Sequence, residues 1–160
     1  MSGNKFVIAD LHLGHKNMAL HRGFSSVEEH DQYIIDKWNS VVRKNDSVLL
    51  LGDVTMEKAT VYPTLSALNG FIKVVGGNHD TPNHSKKMLE YVNGICGVYG
   101  KDKIVYTHVP VHPDMLEPPE RWRFNIHGHM HLNKIHDERY ICVSCEQVGY
   151  TPVLIDKLIK

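Results

Sequence analysis

The chain has 160 residues, with 18 lysines and arginines against 18 aspartates and glutamates, and a formal net charge of zero. That length suits one domain over residues 1–160, able to bury roughly 70% of its unfolded surface. Hydrophobic residues at 42% and charged residues at 22% exclude whole-chain disorder, and the balanced charge speaks against an extended nucleic-acid footprint.

Short β-rich runs alternate with helical patterns, which predicts an α/β layered domain. The first strand is expected at Lys5 to Ala9. A helix should begin after Ser26, where Ser26 and Glu29 form a capping box and Ile34, Trp38, Val41 and Val42 keep helical spacing. Ser47 to Leu51 reads as a second buried strand. A short helix is expected at Thr64 to Leu68, with Pro63 in its first turn and Gly70 past its end. Phe71 to Val75 is a third strand, and Ser85 to Tyr91 looks helical. Further strands are expected at Cys96 to Tyr99, Lys103 to Thr107, Phe124 to Ile126, Tyr140 to Cys145 and Pro152 to Ile155. The segment Pro110 to Pro119, with four prolines, reads as a loop.

No apolar run approaches the ~18 residues a membrane span needs, so no membrane partner is expected. The start MSGNKFVIAD lacks a signal-peptide pattern, and the cysteines are only Cys96, Cys142 and Cys145. Together these predict reduced thiols and a cytoplasmic location. Cys142 and Cys145 form a C-x-x-C inside the strand-like run YICVSC. Residues three apart on a strand face opposite sides, so a shared metal or disulfide is disfavoured and both read as small core residues.

The unusual count is twelve histidines, because imidazole titrates near neutrality and ligates metals. Most informative are the residues that stand just behind each apolar run. After FVIA come Asp10 and His12; after VLLLG, Asp53; after IKVVGG, Asn78, His79 and Asp80; after KIVYT, His108; after FNIHG, His129 and His131. Ligands in open α/β sheets gather at the carboxyl ends of strands. Gly52, Gly76, Gly77 and Gly128 beside them permit close backbone approach. The donors are imidazole, carboxylate and one amide, without thiolate. That set suits Mn²⁺, Fe, Zn²⁺, Ni²⁺ or Co²⁺ better than Ca²⁺ or a structural zinc. Seven candidate ligands exceed one four-coordinate ion and suit two ions about 3.5–4 Å apart sharing a carboxylate. Two divalent ions against Asp10, Asp53 and a hydroxide leave a positive site that favours phosphate.

These residues resemble the calcineurin-like metallophosphoesterase family, whose ordered signature is D-x-H, G-D, G-N-H-[DE], H and G-H-x-H. Here it reads Asp10-Leu11-His12, Gly52-Asp53, Gly77-Asn78-His79-Asp80, His108 and Gly128-His129-Met130-His131. The segments DLHLGH, THVPVHP and NIHGHMH look like the small bacterial and phage-type phosphoesterases. The resemblance implies a four-layer β-sandwich of two mixed sheets flanked by helices, with the site at loop tips along one edge. It implies that Asp10, His12, Asp53 and His131 hold one metal, and that Asp53, Asn78, His108 and His129 hold the other, Asp53 bridging. Mn²⁺ is the first expectation. His79 would contact a phosphate oxygen or protonate the leaving group, and Asp80 would orient His79. The sequence Gly52-Asp53-Val54-Thr55-Met56 departs from the protein Ser/Thr phosphatase branch. The chain also lacks the length and basic charge of the repair-type nucleases.

Around this core, His15, Asn17 and Arg22 are candidates for binding a substrate phosphate or ribose, or else form a polar surface loop. Arg121, Trp122 and Arg123 read as an anion clamp with an aromatic platform, or as a solvated rim. His127 is expected buried or supporting the ligands, and His21, His30, His84, His112 and His136 on the surface. The expected function is metal-dependent hydrolysis of a phosphodiester or phosphomonoester, with a small nucleotide-type substrate. The alternatives are a nuclease on short nucleic acid and a non-catalytic metal-binding scaffold.

Overall fold

The computed structural model describes residues 3–56, 59–117 and 121–159. Three apolar runs, β1 (Lys5–Ile8), β2 (Ser47–Leu50) and β3 (Phe71–Val75), pair in parallel, and β4 (Gly94–Cys96) joins β3 in the same sense. A second sheet contains β5 (Tyr99–Lys101), β6 (Ile104–Thr107), β7 (Phe124–His127) and β8 (Tyr140–Cys142), in that order. The β5–β6 pair is antiparallel, whereas β6, β7 and β8 run parallel. The chain then returns to the first sheet, where β9 (Val153–Leu154) pairs antiparallel with β1. Two mixed sheets flanked by helices result, as expected.

Parallel strands covered on both faces need apolar residues at consecutive positions. Accordingly Val7 and Leu49 face the second sheet, packing with Ile104, Tyr106 and Ile126, while Phe6, Ile8 and Leu50 face helices. The main helix on that side is α2 (Val27–Val41), entered after a short α1 (Lys16–His21). The Ser26 hydroxyl accepts the Glu29 N–H at 3.1 Å, as the capping box predicts. The return contact is displaced by one residue, because the Glu29 carboxylate takes the backbone N–H and the hydroxyl of Ser25. Ile34 and Trp38 are fully buried, and the Trp38 indole N–H donates to Asn69 O at 2.9 Å. Val41 points outward, and Val42 at the C-cap is buried in its place.

The remaining boundaries differ from expectation for identifiable reasons. α1 buries only Ala19 and so leaves no apolar period to read. The helix expected at Thr64 to Leu68 is a longer 3₁₀ helix, Ala59–Ala67, with Pro63 inside it. α3 (Pro82–Met88) begins early because Pro82 suits a first helical turn. Cys96 to Tyr99 is not one strand. The chain changes sheet there, ending β4 at Cys96 and starting β5 at Tyr99. Similarly, β8 stops at Cys142. Residues 143–145 then cross back to the first sheet, where Ala9 N–H donates to Val143 O at 2.9 Å and Cys145 N–H donates to Ala9 O at 3.1 Å. The three thiols are free, and burial pushes those of Cys142 and Cys145 up. A last short helix, α4 (Ile155–Leu158), follows β9, and no helix among the described residues is long and apolar enough to cross a membrane.

The outer face of the second sheet is covered by the proline-rich segment after His108, which contains a 3₁₀ turn, Pro113–Leu116. Pro118 and Pro119 of the expected loop lie outside the described residues. The strap is held through fully buried Asn125, whose Oδ1 accepts Val111 N–H and whose Nδ2 donates to Val105 O and Thr107 Oγ1, each at 3.0 Å. The Tyr140 hydroxyl adds a 2.9 Å bond to Val111 O. Asn125→Ala leaves these groups unpaired, and is expected to cost about 1–3 kcal/mol in a urea titration. An unchanged midpoint would show that the strap is held by other contacts.

Candidate metal centre

Each expected ligand lies just past a strand's carboxyl end: Asp10 after β1, Asp53 after β2, Asn78 after β3, His108 after β6, and His129 and His131 after β7. The turns that carry them are tight. Asp10 (φ 60), His12 (φ 51), Asp53 (φ 50), His129 (φ 67) and His131 (φ 49) all occupy the left-handed region. Non-glycine residues enter that region only when their surroundings hold them there. Here neighbouring turns hold one another. Asp10 N–H donates to Gly52 O at 3.1 Å, His12 N–H to Asp53 O at 3.0 Å, and His129 N–H to the Asp10 carboxylate at 2.9 Å. Two glycines permit this crowding. A Cβ on Gly77 would stand 2.3 Å from Asp53 Oδ1, and one on Gly128 would stand 2.8 Å from Asp10 Oδ2.

Two clusters result, Asp10–His12–His131 and Asp53–His108–His129, each with donor atoms within 4.8 Å of one another. Asp53 lies between them, with Oδ2 3.4 Å from His108 Nε2 and 3.7 Å from His12 Nε2. Asn78 Oδ1 is 2.9 Å from His108 Nε2, which in turn is 3.2 Å from His129 Nδ1. The His12 and His131 rings stack at 5.3 Å.

The fit to divalent metal is testable on His12. Both of its ring nitrogens are buried without a hydrogen-bond partner, which is costly unless a cation takes a lone pair. Burial, reinforced by the charges of Arg22 and His131 against the opposing pull of Asp53, holds its pKa down to about 3, so the ring is a neutral donor. Burial raises the Asp10 carboxyl. It also opposes ionisation of Asp53, but the hydrogen bond and charge of His108 outweigh it and hold Asp53 below the usual carboxylate range. His108 is raised in return.

His79 N–H donates to Asp53 Oδ1 at 3.1 Å, and its ring lies 6.0 Å from that of His12, beside the clusters. Asp80 accepts from Asp53 N–H at 2.8 Å, Gly77 N–H at 2.9 Å and Val54 N–H at 3.1 Å. The bracing expected toward His79 thus reaches the loops that carry Asp53 and Gly77. His15 caps α1, with Nδ1 3.4 Å from Met18 N–H, and its ring is 5.9 Å from that of His12. Asn17 is exposed on α1.

Three expectations need correction. Arg22 is not part of a polar surface loop, since its side chain is only 1% exposed. It donates to Asp10 O at 2.7 Å, Leu11 O at 3.0 Å and Glu146 Oε1 at 2.8 Å, and so clamps the first metal loop from behind. His30 is fully buried, not on the surface, with Nε2 3.0 Å from Arg22 Nη1 and Nδ1 2.8 Å from Asp31 Oδ1. Arg121, Trp122 and Arg123 precede β7 and therefore lie at the end of that strand away from the centre, where the Trp122 ring covers Gly100. His127 is buried, with Nδ1 2.9 Å from Gly128 O.

The residue that sequence reasoning missed is Glu146. Its Oε1, besides taking Arg22, lies 3.0 Å from His131 Nδ1, leaving Nε2 of His131 for a cation. Burial opposes its ionisation, yet His131 and Arg22 outweigh that and hold the carboxyl at about 2. The available signal was an acid just after the run YICVSC, a sixth apolar run with a candidate behind it.

The calcineurin-like phosphoesterase superfamily domain matches residues 5–147, and the chain belongs to that superfamily. It is similar to the uncharacterized protein MJ1445 of Methanocaldococcus jannaschii, 33% identical over 97% of this chain and 89% of that protein. Among solved structures it is similar to AQ665 of Aquifex aeolicus, a protein of unknown function, with TM-score 0.72, 26% identity, and coverage of 98% and 100% of the two chains. It shares its fold with the Pseudomonas putida nuclease MPE, with TM-score 0.53, 15% identity, and coverage of 79% and 61%.

Glu146→Gln removes the charge that orients His131. Calorimetric titration with Mn²⁺ is expected to show one binding event weakened about 10–100-fold. The acid limb should change as well. Because the folded carboxyl sits below its ordinary 4.5, its stabilisation is complete above pH 4.5 and disappears as pH falls toward about 2. The Gln variant should lack that slope in thermal melts.

Proposed function

We propose that the chain is a dinuclear-metal-dependent phosphoesterase, with Asp10, His12, Asp53 and His131 holding one ion and Asp53, Asn78, His108 and His129 the other. The observation that carries this reading is the position of Asp53 Oδ2, within 3.7 Å of a ring nitrogen belonging to each cluster. A carboxylate so placed suits a shared ligand. Mn²⁺ is the assigned metal, with Fe, Zn²⁺, Ni²⁺ or Co²⁺ as substitutes, because the donors mix neutral imidazole with carboxylate and amide oxygen. A bound divalent pair supplies a water of lowered pKa and neutralises charge on a phosphoryl group.

The chain's own residues do the rest. Asp10 and Asp53 return two negative charges against four positive ones, so an anionic ester is favoured. His12 arrives as a neutral donor, and so needs no deprotonation at neutral pH. Asp80, Arg22 and Glu146 fix the loops, so that little ordering is left for the moment of binding. His79, half-buried beside the clusters, is placed to donate to a phosphoryl oxygen or to the leaving alkoxide. The substrate assigned is a small phosphodiester or phosphomonoester of nucleotide type, handled in the cytoplasm. A second reading, a nuclease on short nucleic acid, draws on the shared fold with a nuclease, while the zero net charge favours small esters.

The test is a metal-reconstituted assay on bis-nitrophenyl phosphate, nitrophenyl phosphate, cyclic nucleotides and a short single-stranded oligonucleotide. Asp53→Ala is expected to abolish turnover. His79→Gln is expected to lower turnover about 10²–10⁴-fold on alkyl esters and less on nitrophenyl esters, whose leaving group needs little protonation. Two metals per chain with no turnover on any ester would establish a scaffold instead.

A further inference from the structure

Among the described residues, the sandwich is not sealed at the end away from the metal centre. There, between the amino ends of β1, β2 and β3 and the β5–β6 hairpin, lies a cleft of about 600 Å³. The pleat places Val7, Leu49 and Val75 toward the facing sheet, so Lys5 and Lys73, two positions before Val7 and Val75, point the same way. Lys101 enters from the facing sheet, and these three cations share the cleft with Asp102 and Asp156. Its apolar wall includes Ile104 and Tyr106, both nearly buried, and Phe71, which is 54% exposed.

Lysines in strands commonly guard an edge against pairing. That explanation fails here for Lys5 and Lys73, because β1 and β3 have hydrogen-bonded neighbours on both sides. Lys73 Nζ lies 4.4 Å above the Tyr99 ring, and the Tyr99 and Tyr106 rings are 5.7 Å apart, so cation and aromatic surface are already juxtaposed. The Lys101 ammonium beside Lys5 holds that group below the usual lysine range, although Asp102 and Asp156 pull the other way. Among the described residues, three cations against two acids leave the cleft one charge positive.

We propose that this cleft is a second ligand site, which takes a small organic anion with an apolar body, its head group between Lys5 and Lys101 and its body against Tyr99, Ile104 and Phe71. The site uses none of the metal-centre residues, and holds whether or not the phosphoesterase reading does.

The probe is 8-anilinonaphthalene-1-sulfonate, titrated into the intact protein by fluorescence, with amide shifts mapped by NMR. One probe per chain is expected, with shifts confined to the starts of β1 and β3 and the β5–β6 hairpin. The double variant Lys5→Glu, Lys101→Glu should weaken binding about tenfold or more, since it sets like charges against the head group. Lys86→Glu, an exposed lysine on α3, should leave it unchanged. If the double reversal does not fold, Lys5→Gln and Lys101→Gln are read singly, together with the loss of affinity on raising salt. Displacement by decanoate would identify a chain-like ligand, and displacement only by naphthalene sulfonate a flat one; either supports the site. No saturable binding, binding indifferent to the lysines and to salt, or a dimer in sedimentation that buries the cleft would overturn it.

Discussion

Parallel pairing in register is the constraint on which the metal centre depends. Ile8 pairs with Leu50, and Leu50 pairs with Val74, so β1, β2 and β3 end side by side. Adjacent strands stand about 4.8 Å apart, so residues that follow neighbouring strands start out side by side. Asp10 comes two residues after Ile8, Asp53 three after Leu50 and Asn78 four after Val74, so their side chains emerge along one edge. The second sheet obeys the same rule. Thr107 pairs with His127, and His108 comes one residue after the first and His129 two residues after the second. A slip of one residue in either sheet would turn the donors to the wrong face. Strand register thus accounts for the arrangement of the site before any side-chain chemistry is considered.

Register alone would leave the donors too far from the common point. Left-handed turns at Asp10, His12, Asp53, His129 and His131 bend them inward, and each such turn has a conformational cost. The structure offsets that cost through three buried charged groups outside the donor set. Asp80 accepts three backbone N–H bonds across two loops. Arg22 clamps the carbonyls of Asp10 and Leu11, and Glu146 connects Arg22 to His131. Burying a charge is unfavourable unless it is paired and hydrogen-bonded. Arg22, Glu146 and His131 satisfy that condition mutually, so loss of any one exposes the others to the desolvation penalty. A preorganised centre results from this mutual dependence, since the donors cannot relax independently.

The donors were legible in the sequence because each sits where an apolar run stops, and a run of consecutive apolar residues is the direct imprint of a strand buried on both faces. The layered class was legible for the same reason. The supporting residues were not. Arg22 sits on the C-terminal side of a six-residue helix with one buried residue, too short to carry a period. His30 lies within an amphipathic helix where position alone suggested solvent, yet Arg22 and Asp31 satisfy both of its ring nitrogens and so permit burial. Glu146 becomes meaningful only once residues 143–145 cross between sheets, a contact with Ala9 that spans more than a hundred residues of chain. Long-range pairing of this kind leaves no local pattern. For Arg121–Arg123 the solvated reading holds and the anion clamp does not: the cluster is close to His129 in sequence, but a strand separates the two ends.

The same separation of strand ends organises the whole sandwich. Because the central strands are parallel, all their carboxyl ends lie on one side and all their amino ends on the other. The two sides can therefore be given different chemistry by changing only the first and last inward-facing positions of each strand. At the carboxyl side those positions lead into Asp10, Asp53 and a group of imidazoles; at the amino side they are Lys5 and Lys73. Between them lies a dry layer of Val7, Ala9, Leu49, Leu51 and Val75 packed on Ile126 and Val143. This layer excludes water and sets the lysines a strand's length away from the acids. An antiparallel sheet would alternate strand ends on each side and mix the two sets. The parallel centre thus accounts for how a chain of no net charge presents an acid- and imidazole-rich edge at one end and a cationic cleft at the other.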